Sequence, residues 1–314
     1  MYTEKEILNF ERDIEVKSVN WLWYPYIPLG KITILQGNSG VGKTMLALNV
    51  AAILSKGETL PGDTVLREPI NIIYNTAEDG LGDTIKPRLI AAKADCNFIS
   101  NINERLNTIT MTDERLELSV AEVKAKLLIL DPIQAYLGVD VDMNKANEIR
   151  PIFAHLGRIA EDNNCAIVLI GHKGKNQAYD DINALIGSMD QVAAARSVLT
   201  VTNHPTDKGL SVIHHTKSSL SKRGKSLSFS INDGGRIEWG DFIESNDCRF
   251  EDKVSKTDEA KMFLQDILAS GVKPQSEILA ASALKNIAKR TLDKAKHELN
   301  ITSYRSQNQW FWKL

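Results

Sequence analysis

The stretch 32–44 constrains this chain more than any other. Ile-Thr-Ile-Leu-Gln runs into Gly37-Asn38-Ser39-Gly40-Val41-Gly42-Lys43-Thr44, a short apolar strand followed by the pattern G-x-x-x-x-G-K-T. Gly37 and Gly42 let the backbone fold tightly around an anion, and Gly40 adds slack between them. The loop amides and the N-terminus of the next helix then point at nucleotide phosphates. Lys43 has the reach for the β- and γ-phosphates, and the Thr44 hydroxyl is placed for Mg²⁺. With Met45 an apolar helical run, 45–53, begins. The loop and Met45 are therefore read as a site for ATP with Mg²⁺.

The rest of the composition sets bounds. The chain has 314 residues, 43% hydrophobic and 25% charged, with a net charge of −2. That suits one large domain and a small one, and it excludes a whole-chain basic field for nucleic acid. The charge is uneven: residues 257–314 carry nine Lys/Arg and six Asp/Glu, net +3, which leaves 29 and 34, net −5, elsewhere. Cys96, Cys165 and Cys248 share no metal-type spacing and read as reduced thiols. The N-terminus lacks a signal-type apolar core, and no apolar run approaches the ~20 residues that span a bilayer. A cytoplasmic protein without a membrane partner is expected.

Before the loop, Trp21-Leu22-Trp23-Tyr24-Pro25-Tyr26-Ile27-Pro28 reads either as a packed lid over the sheet edge or as an aromatic shelf for the nucleotide base. After it, the β-rich run 71–75 ends in Thr76-Ala77-Glu78-Asp79-Gly80. Ligands of open α/β sheets sit beyond the carboxyl ends of the strands. Glu78 there is a candidate base that orients and deprotonates an attacking water, with Asp79 as a cap or a partner behind it. The pattern predicts a helix over 82–95, a strand over 106–111 and a helix capped by Thr112-Asp113. The apolar run Lys126-Leu127-Leu128-Ile129-Leu130-Asp131 reads as a strand buried on both faces, its terminal Asp131 a Mg²⁺ ligand. Asp140 and Asp142 lie in a loop and read as solvated, with metal binding as the alternative. A helix is expected over 145–162, starting or kinking at Pro151. The next buried strand, 166–170, ends in Gly171-His172-Lys173, where His172 is placed to sense the γ-phosphate.

Further on, Arg196 precedes a strand and is either a salt-bridging or a phosphate-facing residue. Two β-type runs, 210–214 and 226–231, flank a basic Gly/Ser-rich connection with Lys217, Lys222 and Arg223. That connection reads as a solvated hairpin, or as a tip reaching a neighbouring subunit's phosphate or a nucleic-acid backbone. Residues 243–256 read as a linker after a first domain, 1–242. Residues 257–314 hold three helical patterns and a terminal strand pair with Trp310-Phe311-Trp312. This suggests a winged-helix-like α+β domain whose third helix enters a major groove, or a small oligomerisation domain.

Taken in order, the P-loop with Thr44, Thr76-Ala77-Glu78-Asp79, Leu128-Ile129-Leu130-Asp131-Pro132, Gly171-His172-Lys173, and Gly187-Ser188 with Ala195-Arg196-Ser197-Val198 resemble the RecA-like ATPases of the plasmid RepA helicase type, notably those of phages and mobile elements. The entry segment Trp21-Leu22-Trp23 with Pro28-Leu29-Gly30-Lys31 is similar to theirs as well. The likeness covers roughly 20–240. It departs at Met189-Asp190-Gln191, where that family continues with small or apolar residues. The resemblance implies an α/β fold with a mostly parallel central sheet flanked by helices, and ATP hydrolysis in a ring, hexameric by preference, with sites at subunit interfaces. It implies Lys43 and Thr44 on phosphate and Mg²⁺, Asp131 on Mg²⁺, Glu78 as catalytic base, and His172 coupling the γ-phosphate to a DNA loop. A finger reaching across the interface is then Arg196 or a basic residue of the Lys217–Arg223 connection. The expected function is an ATP-driven motor on single-stranded DNA, a replicative helicase, with loops 140–147 and 174–186 against the strand. The alternative is a nucleotide-switched DNA-binding accessory factor of replication or recombination that does not unwind. A kinase on the same scaffold would need an acceptor pocket and an arginine-rich lid, which the sequence does not offer.

Overall fold

The computed structural model describes residues 15–64, 66–104, 107–138, 141–142, 145–172, 194–243, 256–268, 271–285, 287–299, 301–306 and 309–313. The chain divides into two compact units, Met1–Cys248 and Arg249–Leu314.

The first unit is built on a nine-stranded sheet. Its parallel part comprises β3 (Ile32–Gly37), β4 (Ile72–Thr76), β5 (Ile99–Ser100), β6 (Leu127–Asp131), β7 (Ala166–His172) and β8 (Ser197–Asn203). An antiparallel part follows with β9 (Leu210–Ser218), β10 (Ser226–Ile231) and β11 (Ile237–Ile243). The order is β11-β10-β9-β8-β3-β7-β6-β4-β5. β3 and β6 are buried at every position, because their Ile/Leu runs face apolar layers on both sides. One layer packs α1 (Lys43–Leu54) on Leu35, Ile129, Val168 and Leu199. The other packs α3 (Glu114–Glu122) and α4 (Ala146–Asn163) on Ile34, Leu128, Leu130 and Leu169. Alternation along each strand produces this split, since neighbouring residues point to opposite faces.

Several expectations change on contact with the structure. The helix foreseen over 82–95 is a π-helical turn, Leu81–Ile85, running into α2 (Lys86–Ala91). The described part of 106–111 forms no strand; Ile109 and Met111 are buried as loop residues, and the edge strand is β5. Burial without a ladder partner imitates a strand in sequence. Pro151 neither starts nor ends α4 but lies inside it, where the apolar face of Ile149, Ile152 and Phe153 holds the helix despite the missing donor. Asp113 does cap α3, accepting from the Arg115 amide at 2.9 Å. The aromatic segment forms a ribbon of β1 (Trp21–Trp23) and β2 (Ile27–Pro28). It is packed: Trp23 and Tyr26 are buried, and the Tyr26 hydroxyl donates to the Lys225 carbonyl at 2.7 Å. Asp140, Lys173, Gly187, Ser188, the loop 174–186 and most of 243–256 lie outside the described residues.

The second unit has α5 (Lys256–Leu268), α6 (Gln275–Leu284) and α7 (Lys289–Glu298), with strands β12 (Lys273–Pro274), β13 (Thr302–Ser306) and β14 (Gln309–Lys313). The strands form an antiparallel sheet, β12-β14-β13. Phe263, Leu264, Ile278, Leu292 and Trp312 share one core.

Candidate active site

Parallel register brings the P-loop, His172, Asp131 and the end of β4 to one edge of the sheet. Gly37 pairs with His172 on one side and Val201 on the other, and Thr76 pairs with Asp131. The carboxyl ends of β3, β7, β6 and β4 thus open on the same surface, with β7 between the strands that carry the P-loop and Asp131. Gly37 is needed for the fit: a Cβ there would stand 2.3 Å from the Val201 carbonyl oxygen. Gly42 has φ 90°, a left-handed conformation that favours glycine.

The loop is shaped for an anion. Asn38, Ser39 and Gly40 are exposed, and Val41 is buried. No side chain caps α1, and no acid lies in its first turn, so its first amide groups are left to a ligand at a helix end that favours negative charge. Lys43 is only 4% exposed and its Nζ donates to the carbonyls of Gly37 at 3.0 Å and Asn38 at 2.8 Å. Burial lowers the Lys43 pKa, while the charges of Asp131 and Glu78 favour its ammonium form. A buried cation held by two carbonyls beside unused amides fits a polyphosphate.

The Thr44 hydroxyl donates to Asp131 Oδ2 at 2.7 Å. Asp131 is buried, and the same oxygen accepts from the Tyr74 hydroxyl at 2.8 Å. The hydroxyl–carboxylate pair of Thr44 and Asp131 is the hard-oxygen donor set that suits Mg²⁺. Tyr74 was missed in the sequence; the available signal was a buried hydroxyl in a strand that ends beside Asp131. Burial and the Asp131 charge hold the Tyr74 pKa well above its ordinary value, so it stays a donor.

Glu78 lies two residues beyond the end of β4. Its amide and that of Asp79 turn onto Thr76 Oγ1, at 3.4 and 3.3 Å, and Ala77 donates to the Asp131 carbonyl. Asp79 is bridged to Arg88 at 2.6 Å, and Glu78 is exposed at the strand end. Among the described residues no cluster of three or more His, Cys, Asp or Glu is arranged to hold a metal.

Arg196 lies elsewhere. Its amide donates to the Ile32 carbonyl, and Ser197 pairs with Thr33, so it stands at the opposite edge of the sheet from Gly37. The separation along β8 from Ser197 to Val201 is about 13 Å. Arg196 therefore does not face its own phosphate loop. The other basic candidates gather with it: the Ser219 amide donates to the Arg196 carbonyl, and Lys217 Nζ donates to Ala195 O at 2.8 Å. Lys222 and Arg223 are exposed.

A model of the AAA domain family matches residues 7–178, more than half of the chain. This chain belongs to the AAA domain family. Its sheet order and P-loop are those of a RecA-like P-loop ATPase core. Among curated proteins it is similar to DNA repair protein RadA of Halalkalibacterium halodurans, 24% identical over 57% of this chain and 36% of that protein. RadA of Streptococcus pneumoniae is 22% identical over 67% and 44% of the two chains, and that of Salmonella typhimurium 27% over 47% and 28%. The chain thus spans less than half the length of these relatives. A solved structure of a DnaB-like replicative helicase superposes with TM-score 0.52 at 13% identity, over 68% of this chain and 57% of the other, a likeness of fold. No described helix is long and apolar enough to cross a membrane.

Proposed function

We propose that the chain is a ring-forming DNA motor that couples Mg²⁺-ATP hydrolysis to movement on single-stranded DNA, a replicative helicase of a phage or mobile element. The observation that carries the reading is the convergence of Lys43, Thr44, Asp131 and Glu78 at one sheet edge. Thr44 and Asp131 would hold Mg²⁺, which supplies charge neutralisation at the phosphates when bound. Lys43 turns its ammonium from the two loop carbonyls to the β- and γ-phosphates. Glu78 orients a water and accepts its proton, and the loop amides stabilise the charge that develops. His172, the last residue of β7 and the register partner of Gly37, would couple γ-phosphate occupancy to a DNA loop.

Ring assembly, hexameric by preference, is supported by the gathering of Arg196, Lys217, Lys222 and Arg223 at the far edge. A cation from that cluster reaches a phosphate only in a neighbouring copy. The three helices and the antiparallel strands of 257–314 suit a winged helix, with α7 offered to duplex DNA. A second reading, a recombination accessory ATPase that binds DNA without unwinding it, draws on the RadA relatives, which are named as DNA repair proteins.

Steady-state ATP hydrolysis with and without single-stranded DNA, for the parent and for Glu78→Gln, tests the proposal. Several-fold stimulation by single strands, abolished by Glu78→Gln, is expected. Turnover indifferent to single strands favours the accessory factor, and Mg²⁺-dependent turnover unaffected by Glu78→Gln removes the assigned base.

A further inference from the structure

One face of α4 is left bare by the core. Arg150, Ala154, Gly157, Arg158 and Glu161 follow one another at the spacing that stacks side chains on one side of a helix. With the starts of β3 and β8 this face walls a cavity of about 380 Å³. Lys31 and Arg196 enter it from just before those strands, so four cations meet one acid, Glu161. That acid is engaged by Lys31 at 3.3 Å. Arg158 and Arg196 are exposed, and among the described residues no acid is paired with either. Burial, and then the charge of Arg196, lower the Lys217 pKa, so like charges crowd this side of the sheet.

The floor between these cations is open. Gly157 lies inside α4, where glycine is a poor helix former, and its own chain gives no reason for it: a Cβ there would meet nothing within 4 Å. Ala154 beside it is exposed, so the helix backbone stands bare between Arg150 and Arg158, about 12 Å apart along the axis. The volume suits a small ligand. Ile32 and Phe153, the apolar members of the wall, are already buried, which leaves no socket for the side chains of a docked peptide. Planar guanidinium forks on separate elements suit the oxygens of a phosphate. The cavity lies at the other end of β3 from the phosphate loop, about 16 Å away from Ile32 to Gly37, and against the opposite layer of the sheet from α1.

We propose that this cavity is a second site for a nucleoside phosphate, its phosphate on Arg158 and Arg196 and its sugar and base over Ala154 and Gly157. The ligand is a free mononucleotide or one unit of a strand; the phosphate chemistry is the same. The site goes beyond the motor reading and does not depend on it. Arg196 is shared with the far-edge cluster, so the tests act on Arg158 and Gly157, which are not.

The test uses the full chain. Thymidine monophosphate is titrated by calorimetry, and an oligothymidylate of about twenty nucleotides by anisotropy, against the parent, Arg158→Glu and Gly157→Met. Arg158→Glu should weaken binding about tenfold or more, through the loss of a charged hydrogen-bonding fork. Gly157→Met fills the floor without changing the charge and should weaken binding as much, while melting no lower than the parent. Hydrolysis of ATP without DNA should stay within about twofold of the parent in both variants. Losses seen with the mononucleotide assign the cavity to a free nucleotide, and losses confined to the oligothymidylate assign it to a strand. Equal binding by the parent and both variants overturns the site. A loss with Arg158→Glu alone also overturns it, since a diffuse field rather than a cavity would then be at work. Displacement of thymidine monophosphate by Mg²⁺-ATP would put that ligand in the phosphate loop, and a change only in sedimentation would make the groove a self-contact; the proposal falls in either case. The motor reading is scored separately by stimulation of hydrolysis: weakened binding in both variants without stimulation of the parent sinks the motor and keeps the site, and the reverse sinks the site alone.

Discussion

At the scale of single residues, the site is arranged around one carboxylate oxygen. Asp131 Oδ2 accepts from both Thr44 and Tyr74, in a buried position where an unpaired acceptor is expensive. Tyr74→Phe keeps the ring volume and deletes one donor. Because the acceptor is charged, it should cost about 2 kcal/mol, read as a lower midpoint in urea. It should also raise the Mg²⁺ concentration needed for nucleotide binding, since Asp131 loses a group that fixes its orientation. A variant with unchanged Mg²⁺ dependence would make Tyr74 a packing residue only. The residues proposed for phosphate and Mg²⁺ were legible in the sequence because the P-loop has fixed spacing. Tyr74 was not, because a lone hydroxyl in a strand is specified only by what lies on the next strand. Arg196 was legible as a cation, whereas the end of the sheet it occupies was not, since that is a property of register.

At the scale of elements, β9 carries two buried imidazoles. His215 Nδ1 accepts from the Gly224 amide at 2.8 Å, so its Nε2 bears the proton and faces Ser197 Oγ at 3.1 Å; that hydroxyl donates to the Tyr26 carbonyl. His214 lies between Ser226 Oγ and Thr202 Oγ1. Burial pushes both pKa values down to about 4. The unfolded chain, with ordinary imidazoles near 6.5, therefore binds more protons than the fold between those values. Stability should be complete above pH 6.5, fall as the pH drops towards 4, and lose about 3 kcal/mol per ring at the acid limit. Thermal melts between pH 7 and 4.5 should show the slope, and His214→Asn/His215→Asn should flatten it. A parent melting point that ignores pH in this window would contradict the burial argument. The β10–β11 turn makes a second long-range link: Asn49 of α1 accepts from the Ile237 amide at 3.0 Å and donates to Gly235 O at 3.3 Å. Asn49→Leu should cost about 1–3 kcal/mol by leaving the Ile237 donor unpaired, measured by urea unfolding. Buried strands such as β6 and β7 were readable because continuous apolar runs have few alternatives. The 106–111 stretch misled because loop burial and strand burial draw on the same residues, and β5 was invisible because two residues carry no period.

At the scale of the whole molecule, the decisive question is whether one chain makes a complete site. The phosphate loop opens at the carboxyl edge of the sheet, and the basic residues Arg196, Lys222 and Arg223 occupy or flank the opposite edge. A parallel sheet is rigid, so no side chain folds back over about 13 Å of strand to the loop of its own copy. If hydrolysis needs a cation at the developing phosphoryl charge, that cation comes from a second copy bound head to tail, the arrangement that closes into rings. Lys43→Ala should then abolish hydrolysis by emptying the loop, and Arg196→Ala/Arg223→Ala by emptying the far edge. Mixed in equal amounts and allowed to exchange subunits, the two inactive proteins should regain about a quarter of the parental rate, because a quarter of random interfaces join an intact loop to an intact far edge. Neither defect is repaired within its own chain, so recovery reports the shared site directly. A mixture as inactive as its parts, with subunit exchange verified, would mean that each chain hydrolyses alone and that the far-edge cations serve the fold or the DNA.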